Sequence, residues 1–233
     1  MVPGLKSLPL VLIPSLLIAS DDPAWKTKPA AVWTSDDAKQ VLSYSPWAGR
    51  VTPEWVRDLS PDERRQGGDM EADIGRGVGL EGLIGIFDSA RADAAIARAH
   101  EKPDPGTVMV RWESANAVRQ AEQTLPDPEV PALDTDAFYA IVVYDIQTPK
   151  SWNERILRGV AALKRYQKKD LKPARVVLER KDDGSATIAY LFPRSAEITK
   201  KDVSVIFQAQ VGRLVVTRIF STEEMQIANQ LDL

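Results

Sequence analysis

The 233-residue chain has no cysteine and a single histidine, His100. The first absence excludes disulfides, thiol nucleophiles, cysteine-ligated zinc, iron–sulfur clusters and a lipid anchor on an N-terminal cysteine. The second leaves a serine hydrolase without a base beside its nucleophile. His100 closes an Ala-rich helical stretch just before Pro103, where a cation has an ordinary structural use, and no GxSxG occurs. One histidine without cysteine also cannot build a usual zinc site. Charge of one sign is lacking too: 30 Lys+Arg stand against 33 Asp+Glu, a formal net charge of -3. Nothing global therefore attracts nucleic acid or an anionic membrane. The longest apolar run, residues 8–19, falls short of the about 20 residues that a bilayer span needs.

That run reads instead as the centre of a secretory signal peptide. Lys6 supplies the positive end, LPLVLIPSLLIA the apolar stretch, and Ala19-Ser20 the small-residue exit before Asp21-Asp22. The competing reading is an N-terminal strand or helix packed on the domain, which Pro9 and Pro14 would interrupt. Cleavage near Ala19 or Ser20 predicts a secreted or periplasmic protein whose mature chain has no transmembrane anchor.

Organisation follows from periodicity and turn chemistry. Residues 1–20 are the signal segment, 21–66 a short-helix appendage, 67–106 a glycine-rich insert ending in an amphipathic helix, and 107–233 the core domain. In the appendage Thr34 and Asp37 form a capping box for a helix ending at Ser45-Pro46. Thr52-Pro53 and Ser60-Pro61 predict two more helix starts. Trp33, Trp47 and Trp55 could stack sugars, but large aromatics in such a segment read first as core.

In the core, TVMVRW predicts a strand and Ser114 a cap for the helix ANAVRQAEQTL. The connection over residues 126–136 is Pro-rich and acidic. FYAIVVYDI has almost no polar alternation, so it should be a central strand buried on both faces. Ser151 and Glu154 predict a helix running through to Lys169, its basic end complementing the helix dipole. Between residues 172 and 220 lie four short strands. Asp183-Gly184 predicts a two-residue type I′ hairpin, and Gly212 a three-residue hairpin loop. The sum is an α+β fold: a mixed, mainly antiparallel sheet of about six strands with two helices on one face, plus the helical appendage.

The segments WTSDDAKQVLSYSPWA, VRWES and YLFPRS resemble a group of exported bacterial proteins of unassigned function, in which a glycine-rich insert lies between SPWA and VRWES. The resemblance implies export and a shared fold. It carries no catalytic residue.

The insert contains Gly77-Val78-Gly79-Leu80-Glu81-Gly82, a GxGxxG out of the strand–turn–helix context that dinucleotide binding requires. Leu80, Leu83, Ile84 and Phe87 instead follow helical spacing, and Gly75 and Gly79 would let a second helix approach. Residues 75–87 thus offer a surface for a protein partner or a second copy, although the plainer reading, a surface insertion ending in one amphipathic helix, is preferred. Asp127, Glu129, Asp134 and Asp136 lack EF-hand spacing, so no metal and no cofactor is predicted. The basic run 164–172 reads as a solvated face. One constellation remains as a ligand or partner contact: Arg111, Trp112 and Glu113 at the end of the first core strand, with Arg194 at the end of another, against the plainer reading of a structural salt bridge between Arg194 and Glu113 that closes the sheet edge. These residues predict a binding or assembly protein acting outside the cytoplasm. The alternative is a cofactor-independent, carboxylate-based hydrolase in the same compartment, and a third reading keeps the chain in the cytosol.

Overall fold

The computed structural model describes residues 22–56, 103–126 and 130–233. After a short helix α1 (Ala24–Thr27), Thr34 caps α2 (Ser35–Ser43) by the reciprocal bonding its sequence predicts. Asp37 donates its backbone N–H to Thr34 Oγ1 and accepts the Thr34 N–H in return. Ala38, Val41 and Leu42 form the buried stripe of α2. Two strands follow, β1 (Ala48–Val51) and β2 (Glu54–Trp55), then β3 (Val108–Trp112), helix α3 (Asn116–Thr124) and the long β4 (Phe138–Gln147). Helix α4 (Glu154–Gly159) precedes β5 (Ala161–Arg165), β6 (Arg175–Arg180), β7 (Ser185–Pro193), β8 (Ser204–Val211) and β9 (Leu214–Ser221). A small ribbon of β10 (Gln226–Ile227) and β11 (Gln230–Leu231) ends the chain.

The α+β class is as expected, but the strands do not make one sheet flanked by helices. They make two, of five strands in the order β1-β3-β4-β7-β6 and of four in the order β2-β9-β8-β5. Every pairing among the described residues is antiparallel. Side-chain parity explains the division. Val110 and Trp112, Ile141 and Val143, and Tyr190 and Phe192 point from the larger sheet into the same apolar cluster as Phe207, Ala209, Val216 and Phe220 from the smaller. Each sheet buries its apolar face on the other, so α2 and α3 pack on each other beside the sheets and do not cover one of them. β4 lies at the centre of its sheet and is buried on both faces. Asp145 adopts φ 57 in a bulge that returns Ile146 to the inner side, in phase with Val143.

Three local expectations are corrected. The helix predicted to reach Lys169 stops at Gly159, and residues 161–165 pair along β8. Leu163 continues the helical spacing of Trp152, Ile156 and Val160, but Ala161 and Leu163, both inward, follow period 2, and hydrogen bonding to a sheet edge outweighs the weak helical preference. Residues 54–55, expected to start a helix after Pro53, pair with β9 for the same reason. The two hairpins exchange their loops. Lys181 pairs with Ser185 around three residues with only Gly184 at positive φ. Val211 pairs with Leu214 around Gly212 and Arg213, with Gly212 at φ 60, the arrangement of a type II′ turn.

The cap on α3 is also not the predicted one. Ser114 Oγ accepts from Ala140 N, and the helix start is held by Asp232, whose carboxylate accepts from Asn116 N and Ala117 N at 2.8 Å each. Asp232 is buried, so this bond both satisfies orphan N–H groups and sets a negative charge on the positive helix end. Asp232→Ala is therefore expected to lower unfolding stability by about 1–2 kcal/mol, read as a shift in urea midpoint at unchanged slope.

A second anchoring carboxylate lies between β7 and β8. Burial pushes Asp202 upward, but Lys168 Nζ at 2.6 Å and the N–H and hydroxyl of Thr199 outweigh it and leave the carboxyl below its ordinary 3.8. A carboxyl lowered in the folded state binds its proton more readily when unfolded. Its stabilisation is complete above the unfolded value and lost as pH falls through the folded one. Stability measured from pH 6 down to pH 2 should therefore fall below about pH 4, and Asp202→Asn should flatten that part of the profile.

Candidate functional site

The four residues singled out from sequence do not form one site. Parity separates Trp112 from its neighbours: it is fully buried between the sheets, edge-on to Phe220 at 4.9 Å and to Tyr139 at 5.8 Å. Arg111 and Glu113 lie on the opposite face of β3. There Arg111 Nη1 stands 3.3 Å from Glu113 Oε1 and 3.4 Å from Glu122 Oε1. Its guanidinium lies 4.7 Å from the Tyr144 ring centroid, and the Tyr144 hydroxyl donates to Glu113. This is a buried, internally paired network, and such networks fix a structure at least as readily as they bind a ligand.

Arg194 joins neither group. Its Nη2 donates to Leu233 O at 2.7 Å, its Nε to Thr135 O at 3.2 Å, and it lies 4.5 Å over the Tyr139 ring. A cleft of about 450 Å³ opens beside it, bordered by Ser114, Asn116 and Arg119. Here the arginine is spent on backbone oxygens and holds the C-terminal segment. The stretch 75–87, the GxGxxG, His100, Asp127 and Glu129 lie outside the described residues. Among the described residues no group of three or more His, Asp or Glu is placed to hold a metal ion, and no helix is long and apolar enough to cross a membrane.

A different arginine has the surroundings of a site. On β9 the residues Leu214, Val216 and Phe220 face the core, and Arg218 occupies the same parity. Its guanidinium reaches past the smaller sheet to the edge strand β1, where Gly49 leaves room for it. A Cβ on residue 49 would stand 2.5 Å from Arg218 Nη1. Nη2 donates to Ser45 O at 3.3 Å, and the Phe220 ring lies 5.1 Å from the guanidinium carbon. Among the described residues no carboxylate pairs with Arg218, and its buried Nε has no acceptor. Burial alone pulls its pKa below the ordinary value, yet a guanidinium remains charged at any physiological pH.

The turn that follows α2 builds the other wall. Ser45 and Ala48 bridge each other across Pro46 and Trp47, and the Ser45 carbonyl accepts from both Ala48 N and Arg218. Trp47 itself is buried and donates its indole N–H to Asp232 O at 2.7 Å. Between the turn and β9 lies a cleft of about 610 Å³, lined by Trp25, Tyr44, Ser45, Pro46, Arg218 and Ile219. Tyr44 is 72% exposed and Ile219 63%, and the buried Trp25 Nε1 has no acceptor among the described residues. A polar recess bordered by Glu223, Glu224 and Asn229 adjoins it. The arrangement offers a half-buried cation beside an apolar rim, which suits holding an anion more than making or breaking a bond. Sequence reading passed over Arg218, although the signal was present: in RLVVTRIF the alternation Leu214, Val216, Phe220 places an arginine where an apolar residue belongs.

The two arginines predict different phenotypes. Arg194→Ala should cost about 1–3 kcal/mol, since it removes the donor to Leu233 O and Thr135 O and the contact with the Tyr139 ring. Faster amide exchange over residues 230–233, with the Arg218 cleft unchanged in its spectra, would confirm a holding role. Unchanged stability would refute it.

Compared with known proteins, the sequence matches no family model and no curated protein, and no solved structure matches it.

Proposed function

We propose that the protein is an exported, non-enzymatic binding or assembly protein of the cell envelope or extracellular space. The observation that carries this reading is the cleft of Arg218. A charged side chain placed at a core-facing position without an internal counter-ion costs folding free energy, and a site that must attract a partner from outside gives it a use. The exposed Tyr44 and Ile219 at its rim supply contact surface of the kind that binding sites present. Export rests on the order of Lys6, the apolar run 8–19 and Ala19-Ser20.

A carboxylate-based hydrolase would need an acid held protonated in an enclosed, water-poor place. The neighbouring pair Glu223 and Glu224 on the adjoining recess stand exposed, which favours the binding reading.

Compartment is tested on the native protein in its own host. An intact mass shortened near Ala19 or Ser20, in a fraction outside the cytoplasm, is the expected result. A full-length cytoplasmic product would overturn export and the envelope role with it.

A further inference from the structure

We propose that the Arg218 cleft is a receptor for the carboxylate of a monoanionic ligand with an apolar body. The proposal deepens the binding reading above and rests on it. Three observations select this chemistry.

The first is the donor. Arg218 makes one hydrogen bond among the described residues, from Nη2 to Ser45 O; its buried Nε has no acceptor there, and its side chain lines the cleft. A guanidinium fork is planar and matches a carboxylate in two parallel bonds. The second is the charge balance. Lys26 and Glu224, both exposed on the lining, offset each other, so Arg218 leaves the cleft with a net charge of one. Lys26, Glu223 and Glu224 border the adjoining recess, which leaves it one net negative charge for a second negative charge on the ligand to meet. A dianion such as a phosphate monoester is disfavoured on that ground. The third is the flank. Tyr44, Pro46 and Ile219 offer apolar surface beside the cation, and about 610 Å³ suits a small ligand or the end of a chain. Gly49 completes the geometry, because its missing side chain is what lets the guanidinium lie against β1.

Two sources share this chemistry, an apolar carboxylic acid and the free C-terminus of a peptide. The experiment titrates the purified protein with octanoate and with N-acetylphenylalanine by calorimetry, using octanamide and N-acetylphenylalaninamide as uncharged controls and phenyl phosphate as the dianion. The acids are expected to bind and the amides to bind at least about tenfold more weakly, as loss of a charge-assisted bond to a half-buried group implies. The tighter of the two acids identifies the source. Arg218→Gln should weaken the acids by a similar factor. Should that variant fail to fold, Gly49→Ala provides the second arm: only the far end of a flexible side chain has to move, so the fold should survive while the guanidinium is displaced and acid binding falls. Amides binding as well as acids would overturn the carboxylate proposal while leaving a binding cleft. Phenyl phosphate binding more tightly would overturn it in favour of a phosphate site. Acid binding unchanged in a folded Arg218→Gln or Gly49→Ala protein would place the ligand elsewhere. If no probe binds at millimolar concentration, the proposal fails, whatever compartment the native protein occupies.

Discussion

Phe207 stands edge-on to two rings of the facing sheet, Tyr190 at 5.3 Å and Phe192 at 6.4 Å, while Trp112 reaches across to Phe220 from the other side. Each such pair contributes about 0.5–1.5 kcal/mol beyond the area it buries. Their larger effect is on register. A strand slipped by one residue would turn its rings outward, so these contacts fix the parity of β3, β7, β8 and β9 together. The rest of the molecule inherits that parity. It sends Arg111 and Glu113 to the outer side of the larger sheet, and it brings Arg218 to the inner side of the smaller one.

The C-terminal segment is the second constraint, and it accounts for the residues that stand out in the sequence. Trp47 of SPWA donates to Asp232 O, and Asp232 caps the helix that VRWES leads into. Arg194 of YLFPRS holds Leu233 O. Trp112 N donates in turn to Trp47 O at 2.8 Å. Segments from three distant parts of the chain thus converge on its last two residues through buried bonds. Trp47 and Arg194 are prominent here because their side chains satisfy backbone oxygens that no strand partner reaches. Their conspicuousness in the sequence reflects this joining.

Local signals with one physical solution were legible. The capping box at Thr34, the doubly buried β4 and the strand and hairpin positions from 175 to 221 follow from periodicity and capping alone. Signals with two solutions were resolved only by tertiary partners. Leu163 satisfies a helical spacing with Val160 and a strand spacing with Ala161, and the free edge of β8 decided between them. Whether four strands form one sheet or half of two depends on what lies opposite their apolar faces, which no local pattern encodes. The loops of the two hairpins differ for a similar reason: register set by Val211 and Leu214 leaves room for two residues where local preference at Val211 argued for three. Arg218 was missed because an isolated arginine in an apolar strand reads as a gap in the pattern. Its meaning appears only when Gly49, from a strand far away in sequence, provides the space for it.

Two polar groups on core-facing positions show how differently such gaps weigh. The hydroxyl of Tyr190 is fully buried without an acceptor among the described residues, and burial pushes its pKa well up. A neutral hydroxyl in that state costs on the order of 1–3 kcal/mol, which a ring packed on Phe207 can offset. Arg218 has no neutral form to retreat to, so its charge must be answered by solvent, by dipoles or by an anion. Ser45 O and the face of Phe220 supply part of that answer. The cleft leaves the remainder to whatever enters it. A fold that needed only a filler between β1 and β9 would be served better there by leucine, as buried ion-to-apolar replacements generally show. That an arginine occupies the position, with a glycine opposite to seat it, is what the proposed binding role is argued from.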